Sequence, residues 1–156
     1  MKQLNFGYLI AQEDKVSKIT KETFKKPLEI LDSSTKFFMK LMDFVYQIHE
    51  NTKDEMLKNY CKYYLTAGNA VIHLIRVSRY SVVTGYYGSV MVLMRTIINY
   101  LNMSIYIHHH PEDAELLLNE SRESFKENKE YKKKFHEYNL KMELNQLGYK
   151  IPKQFE

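Results

Sequence analysis

The chain has 156 residues, a length suited to one compact domain. Apolar types make up 44% and charged types 27%, and five glycines with three prolines leave too little turn punctuation for a fold of many short strands. A net charge of +4 is too small to mark a dedicated nucleic-acid binder, so charge and length alone indicate no activity. Cys61 is the one cysteine, which excludes an intrachain disulfide. The opening stretch MKQLNFGYLIAQEDK has no apolar run of signal-peptide length, and a cytoplasmic setting is expected.

Residues 10–26 predict a short amphipathic helix carrying Val16, Ile19 and Phe24. From Pro27 to Glu50 the helical pattern is strong: Leu31, Phe38 and Val45 recur every seven residues, with Met42 and Ile48 between them. Phe37, Leu41 and Phe44 widen this apolar arc, so the helix is expected to meet more than one neighbour. Thr52-Lys53-Asp54-Glu55 reads as a capping box opening a second long helix over about 53–80, with Thr52 as the cap. Thr84-Gly85 marks the joint to a third helix over about 84–109. His110-Pro111-Glu112-Asp113 reads as a turn into a fourth helix over about 111–127. A last helix over about 129–147, separate from the fourth or continuous with it, carries Tyr131, Phe135, Tyr138 and Met142. Residues from about 148, including Pro152, read as a tail.

The predicted fold is all-α: a single domain over 1–156, a mostly antiparallel up-and-down bundle of four long helices with one or two shorter ones. Residues 82–107 hold a single charge, Arg95, and are long enough to span a bilayer. Arg95, Asn99 and Asn102 near the centre of that stretch are expensive in hydrocarbon. The stretch is therefore read as the central helix of a soluble bundle, with no membrane partner.

Between Met56 and Pro111 there is no Asp or Glu, while Lys58, Lys62, Arg76, Arg79 and Arg95 give the segment a charge of +5. Its polar residues form two stripes at i, i+4, i+7 and i+11: Asn69, His73, Arg76 and Tyr80, then Arg95, Asn99, Asn102 and Tyr106. If the two helices are antiparallel neighbours, the stripes line opposite sides of a groove rich in hydrogen-bond donors, suited to a phosphate, a carboxylate or RNA. The competing reading is a buried polar network in which Arg95 pairs with Asp32 or Asp43 and a half-buried His73 is simply satisfied.

Catalytic and metal motifs are missing. Consecutive helical residues point about 100° apart, so His108, His109 and His110 cannot converge on one ion and instead suit the cation-favouring end of a helix. Neither Glu-x-x-His nor His-x-x-x-His occurs, and there is no glycine-rich phosphate loop or G-x-S-x-G elbow. Cys61 lies on an apolar-rich helix, which favours an inert thiol. No cofactor is expected. A non-enzymatic role in self-association, with dimers the simplest case, or in partner binding follows from the wide apolar arc over 28–48 and the many Tyr, Phe and Met residues.

Gly85, Arg95, Tyr106-Ile107 and Pro111-Glu112-x-Ala114 together resemble uncharacterised helical-bundle proteins related to HEPN domains, over about residues 53–118. This chain departs from their pattern at Asn99, where an acid is usual, and at His110 before the proline. The resemblance implies a helical bundle, dimerisation and a nucleic-acid partner. HEPN ribonucleases carry a histidine four to six residues after an arginine. Arg95 is followed by none before His108, so a ribonuclease requires Arg95 and His73 to meet from different helices.

Overall fold

The structure, a computed structural model, describes residues 6–119, 135 and 137–149. Within them the chain is helical and contains no strand: α1 Phe6–Thr23, α2 Lys25–Asn51, α3 Glu55–Thr84, α4 Tyr87–His109, a 3-10 turn Pro111–Asp113, α5 Ala114–Asn119 and α6 Glu137–Gln146. The all-α expectation agrees with the structure over these residues. The predicted segments 120–127 and 129–134, with Tyr131, the Tyr138 side chain and Pro152, lie outside what is described.

Local chemistry sets the boundaries. At the α1–α2 junction the backbone bonds run on, Phe24 N–H to Thr20 O at 2.9 Å and Leu28 N–H to Phe24 O at 3.0 Å. Pro27 brings no N–H and crowds the carbonyl four residues back, which accounts for a break rather than one straight helix. The cap of α3 is Asp54, not Thr52: its carboxylate accepts from the Met56 and Leu57 amides at 2.9 and 3.2 Å. A charged acceptor complements the helix dipole better than a hydroxyl, and Thr52 Oγ1 instead accepts from the Asp54 amide at 3.2 Å. At the far end Gly85 adopts φ +87°, and its N–H bonds back to Ser81 and Val82. That left-handed cap needs glycine.

The hub is α3. Helices α1, α2, α4 and α5 all pack on it, whereas α2 and α4 scarcely touch each other. Long-range contacts show the antiparallel registers. Tyr60 Oη lies 3.2 Å from His108 Nδ1, and Tyr64 Oη donates to the Ser104 carbonyl at 2.6 Å. On the other side Gly68 faces Met42, and Arg79 meets Asp32. This corrects the expectation that the third long helix is central: α4 lies at the periphery. Among the described residues α4 alone is long and apolar enough to cross a membrane, by length and composition, yet little of its most apolar stretch is buried.

One core cluster joins α3, α4, α5 and the last helix through Tyr63, Ala67, Tyr106, Ile107, Ala114, Phe135, Leu140 and Leu144. Ile107 and Leu144 are fully enclosed, each worth about 1.5–3 kcal/mol relative to an exposed side chain. Phe135 is buried, as the predicted stripe requires, but Leu140 and Leu144 face inward and Met142 is exposed, so the stripe shifts phase toward the C-terminal end. On α1 Thr20 is buried and Val16 half-buried, while Ile19, and Phe24 at the junction with α2, stand exposed.

Candidate functional site in the groove between the first three helices

Three helices border a cavity of about 1030 Å³. Glu13, Asp14, Ser17 and Lys21 come from one face of α1, and Asp32, Thr35, Lys36 and Met39 from one face of α2. From α3 come His73, Arg76, Val77, Arg79, Tyr80, Val83 and Thr84. Each set follows the spacing of a single helical face.

Two acids in this groove already have partners. Arg79 grips Asp32 through two contacts, Nε to Oδ1 at 2.6 Å and the terminal nitrogen to Oδ2 at 2.9 Å. Tyr86 donates its hydroxyl to Glu13 Oε1 at 2.5 Å, and that bond raises the phenol's pKa. Lys21, Lys36 and Arg76 form no ion pair among the described residues.

The groove divides along its length. Glu13, bonded to Tyr86, lies level with the C-terminal end of α3. Asp32 lies level with Arg79. Because α2 and α3 run antiparallel, Lys36, one turn beyond Asp32, falls beside the α3 turns that carry His73 and Arg76. The stretch around Lys36, His73 and Arg76 is therefore basic, while Glu13 and Asp14 lie toward the C-terminal end of α3 with Lys21 about two turns along the same α1 face, and the Arg79–Asp32 pair stands between.

The structure separates the predicted stripes. His73, Arg76 and Tyr80 share this groove, with no α4 residue lining it, while Asn69 is exposed elsewhere on α3. Arg95 is exposed on α4, not buried as expected, because α4 lies at the edge of the fold. Asp32, one of its two expected partners, is held by Arg79. Asn99 lines a second cavity of about 460 Å³ with Tyr63, Thr66, Ala67, Thr96, Tyr100, Met103, Leu117 and Leu118. Asn102 is half-buried and lines neither cavity. Tyr106 is buried in the core, and its hydroxyl donates to Asp113 Oδ2 at 2.7 Å. Burial first, and then that bond, push its phenol far above the usual pKa. The cavity between α3 and α4 thus takes only Asn99 of the two expected stripes, while His73, Arg76 and Tyr80 line the groove on the other side of α3.

Sequence reasoning missed Lys21 and Lys36, and it missed that Asp32 pairs with Arg79 instead of Arg95. The i, i+4 spacing of Asp32 and Lys36 places them on one face of α2, but nothing local indicates that α3 lies alongside. The three histidines diverge, as their spacing requires. His108 contacts Tyr60, His109 Nε2 lies 3.3 Å from Tyr149 Oη, and His110 Nε2 lies 2.8 Å from Glu143 Oε1. Among the described residues no three His, Cys, Asp or Glu side chains are grouped to hold a metal ion. Cys61 is buried, which raises its thiol pKa. Protein-family models, curated proteins and solved structures contain no match to this chain.

Proposed function

We propose that this protein is a non-enzymatic helical-bundle module that acts by association, and that its first partner is a second copy of itself. The observation that carries this is the outer face of α2. Ile30, Phe37 and Phe44 recur every seven residues there, with exposures of 67%, 63% and 58%, and Leu41 fills the space between the two aromatics. Four large apolar side chains along about 21 Å of one helix make a seam of the spacing that pairs helices. Scattered exposed apolar residues are normal, but a contiguous row is a feature of interfaces. Two-fold pairing covers such a row with its own copy and leaves no second edge open. The outward residues Met91, Val92 and Leu101 of α4 extend the apolar surface on the opposite flank. The resemblance to HEPN-related bundles, which implies a dimer, agrees with this reading.

Light scattering over a concentration series tests the proposal. The wild type is expected at twice the chain mass, and a Phe37→Asp/Phe44→Asp double variant at the chain mass with unchanged helicity. A wild-type protein that stays monomeric at every concentration refutes it.

A further inference from the structure

We infer that the basic end of the α1–α2–α3 groove is a binding site for a compact, multiply charged anion of the phosphate class, such as pyrophosphate or a small phosphate ester. The inference stands apart from self-association, which concerns the opposite face of α2.

Three features of the groove carry it. First, Lys36, His73 and Arg76 reach one end of the groove from two helices, and Lys21 enters the same groove from the third. None of the three formal cations is consumed by an ion pair among the described residues. Arg79, the other cation, is neutralised by Asp32, so it closes the middle of the groove instead of adding to the pull on an anion. Second, the donor types suit the ligand. A guanidinium presents a planar fork to two phosphate oxygens, a lysine ammonium adds a point charge, and an imidazole adds a directional N–H. Third, the cavity of about 1030 Å³ is large enough for a small molecule with its anionic head at one end.

The other end of the groove narrows the class. Glu13 and Asp14 line it and are offset by Lys21 alone, so a long polyanion threaded through the groove meets a net negative stretch after it passes Lys36 and Arg76. A nucleic-acid strand repeats its charge along its length and is repelled there, whereas a compact anion sits wholly at the basic end. The geometry therefore favours a small phosphate over RNA.

The experiment is a thermal melt of the whole chain in pyrophosphate, in inorganic phosphate and in sodium chloride at matched ionic strength. It is run on the wild type, on Lys36→Ser/Arg76→Ser, and on Lys62→Ser, which removes an exposed lysine outside the groove. Specific binding raises the melting temperature above the chloride control, more for pyrophosphate than for phosphate. That gain is expected to persist in Lys62→Ser and to vanish in the double variant. Lys36 and Arg76 are exposed, so circular dichroism is expected to show an intact fold in that variant. Equal melting in phosphate and chloride overturns the proposal, as does a gain the double variant retains. So does tight binding of a single-stranded RNA oligonucleotide with no pyrophosphate effect. The oligomer mass of the double variant, read by light scattering, stays that of the wild type, so failure here is distinguishable from failure of self-association.

Discussion

Replacing Gly68 by alanine tests how closely α2 and α3 approach. A Cβ built on Gly68 falls 2.1 Å from Met42 Sδ, 2.9 Å from Cε and 3.3 Å from Cγ. Carbon and sulfur need roughly the 3.5–4.0 Å of ordinary van der Waals contact, so the thioether must move by about 1.5 Å. Met42 is buried, and the shift has to come from a changed rotamer or from spreading the helices. Overpacking of this kind costs about 1–3 kcal/mol. Alanine inside a helix returns about 1 kcal/mol over glycine. The net expectation is a loss of about 0–2 kcal/mol for Gly68→Ala. Met42→Ala alone costs about 2–5 kcal/mol through the cavity it leaves. In that background the obstacle is gone, and Gly68→Ala is expected to stabilise by about 1 kcal/mol. Urea unfolding of the four proteins, followed by helical circular dichroism at one fixed concentration, gives the cycle. Its coupling energy is expected at about 1–3 kcal/mol. Additive effects, with Gly68→Ala of the same sign in both backgrounds, refute the close packing of Met42 on Gly68.

Two further outcomes follow from the polar contacts. Tyr106 is held neutral in the folded chain by burial and by Asp113, with its pKa raised above the ordinary value near 10. In the unfolded chain it ionises near pH 10, so its contribution is fully present below that pH and is lost as pH rises further. Unfolding free energy is expected to fall by up to about 1.4 kcal/mol per pH unit from this group, and Tyr106→Phe makes that limb shallower. A Tyr106→Phe protein whose alkaline limb matches the wild type removes this account. The Arg79–Asp32 pair is only half-buried, and Asp32→Ala is expected to cost under about 1 kcal/mol despite its two contacts. A loss above about 2 kcal/mol by urea unfolding shows that the pair carries packing as well as charge.

Much of the helix pattern was legible, because 3.6-residue periodicity records burial directly. The inward face of α2, with Met42 buried and Leu31, Phe38 and Val45 half-buried, is the heptad read from the chain. Gly85 marked a true helix end because a left-handed cap leaves almost no other choice. Neighbour identity was not legible. An apolar helix is compatible with a central position or with an uncovered flank, and α4 takes the flank while the more polar α3 takes the centre. The polar stripe on α3 was read correctly as a stripe but assigned to the wrong side. Spacing places His73, Arg76 and Tyr80 on one face, whereas only tertiary packing decides that this face meets α1 and α2. The apolar neighbours of Arg95 in sequence predict its burial, but Met91, Val92 and Met94 are themselves exposed.

The placement of α3 between α2 and α4, which scarcely touch, lets the two flanks open separately. Each outer helix has its own contact surface on α3, so either can detach without stripping the other of its support. Amide exchange is then expected to resolve two separate openings, one for α1 with α2 and one for α4, with the α3 amides the last to exchange. If an anion occupies the groove, it is expected to slow exchange across α1 and α2 and to leave the α4 amides unchanged.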